Sequence, residues 1–397
     1  MLTLSARASF WSAAVVAGLA LWASGAPTVV YPLYAAEWNL TPTVTTAIFA
    51  AYPIVLIPVL IVFGNLSDFI GRRATILIGL TALALGSAVF GLAPDLGWVF
   101  VGRALMGVGV GLSLSPATAA MIEFGGPSRA HRASSTTTAA TATGLALATT
   151  VGGALVQYAP QPLHLTFWVL VLATVITGAL AWFFPRHTRD EAVGHWRPRT
   201  LAIPAGSRRE FAAGTLGISA AFSMGGVFLA LGAQIARQLI RSDNALVNGA
   251  ILSISAVVIG VVAILSRRLA VRISLTAGPI ALAAGLGALI GSGVTHSLIL
   301  FILASVLSGA GYSLMFSGGL ATISASAPVR HRGAVISAAY VIGYLLQAIS
   351  ALGLGALATG AGLLPALEIG APLLVALGVA SLLLANAPRR RRDSAFA

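Results

Sequence analysis

Five charged residues stand in segments that otherwise carry almost no charge. Asp68, Arg72 and Arg73 fall within Gly64-Asn65-Leu66-Ser67-Asp68-Phe69-Ile70-Gly71-Arg72-Arg73, while Arg103 and Glu123 lie towards the two ends of one apolar run. Carboxylates and guanidiniums at such spacing can pair, exchange partners and relay protons. No group of His and carboxylates shows metal-ligand or nucleophile-base spacing, and the absence of Cys excludes thiolate catalysis, disulfides and Cys-ligated metals. The expectation is a chain with no catalytic centre, no metal and no cofactor, and therefore not an enzyme, whose chemistry is charge that changes partners.

The elements that must position these charges are membrane-spanning. Of 397 residues, 58% are hydrophobic and 8% charged, against about 25% charged in ordinary soluble domains. A spanning helix needs about 20 apolar residues. Apolar runs near 10–34, 43–63, 74–93, 97–123, 133–157 and 164–184, then 212–233, 246–265, 273–293, 297–320, 334–358 and 363–386, predict twelve helices. The N-terminal run, with Arg7 before it and Ala23-Ser24-Gly25-Ala26 within it, superficially resembles a signal peptide, but it continues through Pro27, Val29, Val30 and Tyr31 and is read as the first helix.

The net charge of +13 comes from Arg alone, since there is no Lys. Nearly all of it falls in alternate connections, which marks cytoplasmic loops rather than a nucleic-acid surface. Arg72 and Arg73, Arg129 and Arg132, the 186–209 stretch, Arg267, Arg268 and Arg272, and Arg330 and Arg332 share one side; only Arg237 and Arg241 take the other. With Arg7 and the tail Arg389 to Arg392, both termini are expected in the cytoplasm, which requires an even number of spans. Residues 185–211, with three Pro and six Arg, read as a cytoplasmic linker. The expected organisation is an N-terminal six-helix bundle over 1–184, the linker, a C-terminal bundle over 212–386 and a basic tail over 387–397. Gly109, Gly111, Ser113 and Leu114 recur 200 residues later as Gly309, Gly311, Ser313 and Leu314, and His131-Arg132 as His331-Arg332. Two duplicated halves are the favoured reading.

The charged stretch between the second and third runs resembles the Gly-x-Leu-x-Asp-x-x-Gly-Arg-Arg signature of major facilitator superfamily transporters, and Gly64, Leu66, Asp68, Gly71, Arg72 and Arg73 fill it. The resemblance implies an all-α integral membrane protein of twelve helices in two pseudo-symmetric six-helix bundles, moving a small molecule by alternating access. It implies that Gly64, Asp68, Gly71, Arg72 and Arg73 form a conformational latch at the cytoplasmic face, to which Glu123 is added by its position. The second copy, Ser266-Arg267-Arg268-Leu269-Ala270-Val271-Arg272, has lost the Asp and both Gly, so asymmetry between halves is expected. Arg103 with Gly107, Gly109 and Gly111 resembles a motif linked in proton-coupled members to proton transfer; Gly107 and Gly111 also have the spacing of close helix packing. Asp68, Arg103 and Glu123 are the proton-coupling candidates. In the fifth run, Gly144, Ala148-Thr149 and Gly152-Gly153 keep the flanking glycines of the antiporter motif Gly-x-x-x-Gly-Pro-x-x-Gly-Gly without its central Gly-Pro.

A cavity near the bilayer midplane is expected between the halves, with Trp22, Tyr31, Tyr52, Arg103, Phe222, Gln234, Tyr312 and Phe316 as candidate substrate contacts. Its apolar character suits neutral or lipophilic molecules. The branch resembled is that of twelve-helix drug:proton antiporters, so the leading expectation is proton-coupled efflux of small hydrophobic compounds by a monomer in a bacterial inner membrane, with substrate, protons and lipid as partners and no nucleic acid. Uptake of a metabolite by symport or uniport is the alternative, favoured by the lost Gly-Pro. A transport-inactive membrane sensor or scaffold is the alternative of another class.

Overall fold

A computed structural model describes residues 3–125, 130–185, 196–198, 207–327 and 332–387. The expected pairing of His131-Arg132 with His331-Arg332, the side chains of Arg129 and Arg330, most of the linker and the basic tail lie outside the described residues.

Among these, the long helices are α1 (Ala6–Gly25), α2 (Pro42–Phe63), α3 (Arg72–Leu92), α4 (Leu96–Gly125), α5 (Ala130–Tyr158), α6 (Leu165–Ala181), α7 (Arg208–Gln238), α8 (Ala245–Leu265), α9 (Val271–Thr295), α10 (Leu298–Ser326), α11 (Arg332–Ala361) and α12 (Leu363–Asn386). Among the described residues, eleven spans are long and apolar enough to cross a membrane. The exception, α6, has 17 residues, about 26 Å at 1.5 Å per residue, and ends three residues short of the expected 184. Its apolar Trp182 and Phe183 continue it as a turn. The first span is longer than expected, Ala6–Glu37, because α1 passes into a 3-10 turn, Ala26–Val29, and a short helix, Tyr31–Glu37. Pro27 explains the change: without an N–H it cannot close the α-helical bond to Ala23.

Side chains such as Leu172, Val175 and Ile176 of α6, or Leu383 of α12, stay more than half exposed on the outer rim. On a chain this apolar, that rim is the lipid-facing surface. Inside each half the helices close on small residues. On α3, a Cβ at Gly79 or Gly86 would come within 2.8 Å of α4 backbone, so these two helices touch main chain to main chain.

The halves are related by the same contact plan, though in a register two residues away from the one suggested by sequence. Gly107 and Gly111 of α4 pack on α2, against Tyr52 and Val59, and Gly109 packs on α3 at Leu83. In the second half Gly309 packs on α8 at Ser255, Ser313 donates to Ile259 O of α8 at 3.0 Å, and Gly311 packs on α9 at Leu282. Gly107, Gly109 and Gly111 therefore correspond to Gly309, Gly311 and Ser313. The correspondence of Gly109 with Gly309 is corrected: those two face different neighbours, and matching a Gly-x-Gly string to itself cannot tell which face of the helix each glycine occupies.

Between the halves, α2 packs against α11 and α5 against α8. At the end away from the Arg-rich turns the join is hydrogen-bonded. The hydroxyls of Thr43 and Thr359 lie 2.7 Å apart, Thr43 donates to Gly355 O at 3.2 Å, and Gln234 Nε2 donates to Thr45 at 3.3 Å. The Ala245 amide caps onto Gln157 at 2.8 Å. Along α5 and α8, Gly153 abuts Ala245 O and Gly249 abuts Thr149 O closely enough that neither has room for a side chain.

Candidate functional site

Two constellations hold most of the residues singled out by sequence. The first is the Arg-rich turn. Ser67–Ile70 forms one helical turn, and Gly71 then takes φ 87° and ψ 152°, a conformation essentially reserved for glycine, before α3 begins at Arg72. That reversal lets Arg72 fold back over the turn. Its Nη1 donates to Asp68 Oδ1 and to Ser67 Oγ, each at 2.5 Å, and its Nε donates to Glu123 Oε1 at 2.8 Å. The side chains of Arg72, Asp68 and Glu123 are 10%, 24% and 15% exposed, so the pairs are largely sheltered from water. Asp68 sits in the helical turn before α3, and Glu123 in the last turn of α4, where the helix dipole opposes a negative charge. Arg72 thus offsets a carboxylate that its own helix end disfavours.

Arg73 takes a different direction. Its guanidinium lies 5.0 Å from the centroid of Trp182 and donates to Phe184 O at 3.4 Å, fastening α3 to the end of α6. Gly64 caps α2. Asn65 and a fragment of the linker complete the surface: Trp196 stacks on Phe63 at 5.6 Å and donates to Asn65 Oδ1 at 3.2 Å, while Asn65 Nδ2 donates to Arg197 O at 3.0 Å. Trp182 and Trp196 were missed by sequence reasoning, because nothing in local spacing places residue 182 or 196 beside residue 65 or 73, and Asn65 and Ser67 stood in the charged stretch without an assigned role. In the second half the corresponding turn, Ser266–Arg268, has Arg267 donating to the Ser135 hydroxyl of α5. The eroded copy therefore makes a contact between halves where the intact copy ties its own half together.

The second constellation lies near the middle of the helices. Arg103 is fully buried, with its guanidinium 4.7 Å from the centroid of Tyr52 and 5.7 Å from that of Phe49. Its Nη1 reaches Ala23 O at 3.5 Å, the outer limit of a hydrogen bond. That carbonyl is the one that Pro27 leaves without its helical donor. The Nε and Nη2 of Arg103 and the buried hydroxyl of Tyr31 have no hydrogen-bond partner among the described residues. Neither described ion pair involves Arg103. Arg103 and Glu123, both named for proton coupling, lie twenty residues apart on α4, about 30 Å along the axis, so they belong to separate sites.

The other half contributes a cluster of five rings: Phe222 of α7, Tyr312 and Phe316 of α10, and Tyr340 and Tyr344 of α11. Phe222 stands 4.6 Å from Tyr344 and 5.8 Å from Phe316, and Phe316 stands 6.0 Å from Tyr340. Tyr312, Phe316, Tyr340 and Tyr344 are half-buried. The edge of Phe49 borders Gly226 of α7 beside Gln347, and the adjoining Gly225 borders the ring of Tyr312. Phe222, Tyr312, Phe316, Tyr52 and Arg103 are thus brought together. Tyr340, Tyr344, Phe49 and Gln347 join them unforeseen, although Tyr340 and Tyr344 show the four-residue helical spacing that could have revealed them. Gln234 is instead part of the join at the far end, and Trp22 is half-buried against the hydrophobic core.

With this geometry in place, residues 10–351 match the sequence profile of the family described as Major Facilitator Superfamily. Among curated relatives, the Multidrug efflux pump LfrA of Mycolicibacterium smegmatis is 34% identical over 129 residues, covering 32% of this chain and 25% of the relative. The Puromycin resistance protein pur8 of Streptomyces alboniger is 30% identical over 132 residues, covering 33% and 26%. The chain therefore matches about a quarter of the length of each. Among solved structures, a bacterial homologue of the human lysosomal transporter Spinster, inward-facing and unoccupied, superposes with TM-score 0.74 at 14% identity, covering 96% of both chains. At that identity the likeness speaks for the fold alone.

Proposed function

Because the chain belongs to the major facilitator superfamily, we propose that this membrane transporter is a proton-coupled exporter of small, largely apolar compounds, acting as a monomer. The observation that carries the reading is the pairing of a charge-sheltered turn, Arg72 with Asp68 and Glu123, with an aromatic midplane cluster some distance away. Substrate is placed between Tyr52 of one half and Phe222, Tyr312, Phe316 and Tyr344 of the other. The Arg-rich end is assigned to the cytoplasm by the bias of its charges, with both termini there, in a bacterial inner membrane. In that orientation the hydrogen-bonded join at Thr43, Thr359, Thr45 and Gln234 closes the outer side, and rocking of the bundles breaks it.

Asp68, Arg72 and Glu123 form the latch that resets between states, and their carboxylates are the proton-exchanging groups near the inner surface. The experiment is flux in proteoliposomes under an imposed pH gradient. Movement of a compound against its gradient when protons run the other way, lost at least tenfold in Asp68→Asn with insertion unchanged, supports the reading. Normal transport by Asp68→Asn removes the latch, and flux co-directional with protons replaces export by uptake. One observation favours uptake as a second reading: α5 runs unbroken through Ala148 and Thr149, without the Gly-Pro interruption found in the antiporter motif.

A further inference from the structure

Among the described residues, the charge at the centre of the transporter is Arg103, and it is positive. It is fully buried, two of its three nitrogens lack hydrogen-bond partners, and its neighbours are the π faces of Tyr52 and Phe49 and one carbonyl at 3.5 Å. Neither described ion pair brings a carboxylate to it. Glu368 is exposed on α12, and Asp68 and Glu123 engage Arg72 at the Arg-rich end. A cation held in so apolar a setting projects its field over the adjoining space, because little dielectric screening or countercharge intervenes.

The halves meet beside that cation. Phe49, over whose ring the guanidinium lies, borders Gly226 and Gln347 of the other half, and the adjoining Gly225 borders the ring of Tyr312. Gln347 is buried and its carbonyl oxygen has no partner. Opposite stand five aromatic rings whose faces favour a flat ring at offset-stacking distance. The two halves therefore present different chemistry to one ligand: an uncompensated cation from the first and a ring-binding wall from the second.

We propose that the midplane site selects flat aromatic molecules bearing a single anionic group, with the ring against Phe222, Tyr312, Phe316 and Tyr344 and the anion drawn towards Arg103, and that it disfavours lipophilic cations of the same shape. This rests on the midplane space being the substrate site, and narrows the lipophilic class to one sign of charge. A ligand charge one ring-thickness beyond Tyr52 stands about 8 Å from the guanidinium, the 4.7 Å separation plus a stacking distance of about 3.5 Å. At an effective dielectric near 20, attraction over that distance corresponds to roughly thirtyfold in affinity, and a cation is repelled by a like factor.

The test uses the full-length protein in zwitterionic-lipid nanodiscs, with binding of 2-naphthoate, 2-naphthylmethanol and 2-naphthylmethylammonium measured after subtraction of empty discs. The anion is expected to bind at least tenfold tighter than the cation, with the alcohol between. Arg103→Gln is expected to bring the ratio to near parity, and Arg103→Lys to preserve it. Parity or cation preference in the native protein, binding of none of the three, or an anion preference that persists in Arg103→Gln would overturn the assignment. Should Arg103→Gln not yield folded protein, the ratio in the native protein decides alone. Flux separates this from the export reading: proton-driven movement of the ammonium probe keeps export and removes the selectivity, whereas Arg103-dependent anion binding without any proton-driven flux does the reverse.

Discussion

Loss of Glu123 should weaken the protein by an amount set by what remains around Arg72. The carboxylate accepts from Arg72 Nε at 2.8 Å, with the two side chains 15% and 10% exposed. Hydrogen bonds to charged groups contribute about 1.5–3 kcal/mol, and removing one partner of a fully buried pair costs about 3–5 kcal/mol. The upper range does not apply to Glu123→Gln, because Asp68 still pairs with Arg72 and Ser67 still accepts from it. The expected loss is about 1–2 kcal/mol. Arg72→Gln is costlier, about 3 kcal/mol, because it leaves two sheltered carboxylates facing each other without a cation. Asp68→Asn costs least, about 1 kcal/mol, since Asp68 is the most exposed of the three at 24%. The assay is a double-mutant cycle on Arg72 and Glu123, read by reversible unfolding in mixed micelles. A coupling energy of about 1.5–2.5 kcal/mol is expected. Additivity of the two substitutions within about 0.3 kcal/mol, or Asp68→Asn costing more than Arg72→Gln, would refute the reasoning.

Gly71→Ala forces an L side chain to adopt φ 87° and ψ 152°, a strain of about 1–3 kcal/mol; it should lower the melting temperature in detergent, and an unchanged value would show that the turn relaxes freely. At the seam between halves, Gly249→Leu drives a side chain into the Thr149 carbonyl of α5. Transport is expected to fall more than tenfold while each half still inserts, and wild-type flux from this variant would show that α5 and α8 do not stay in contact during the cycle.

The membrane class, the long helices and the Arg72 cluster were legible in the sequence for physical reasons. Lipid requires each span to satisfy its own backbone hydrogen bonds, so length and apolarity alone mark it. Asp68 and Arg72 are four residues apart, and Glu123 ends the run that follows α3, so their meeting required little beyond antiparallel neighbours. Less local features were not legible. Arg73 turning to Trp182, Trp196 stacking on Phe63, and Arg267 reaching Ser135 all join residues more than a hundred positions apart, and no periodicity specifies such partners.

The same division runs through the midplane site. The sequence by itself determined that Arg103 is a cation within an apolar run, that Pro27 breaks a helical hydrogen bond and that aromatic residues occur at the centres of several spans; those are properties of composition and local covalent geometry. Only the tertiary structure decided that the carbonyl freed by Pro27 turns towards Arg103, that Tyr52 and Phe49 cover the guanidinium, and that rings from α7, α10 and α11 gather opposite. It also set the register of the repeat, because which neighbour a glycine faces depends on how helices rotate about their axes. Lipid leaves that rotation free to side-chain packing, and packing is a property of all the helices together.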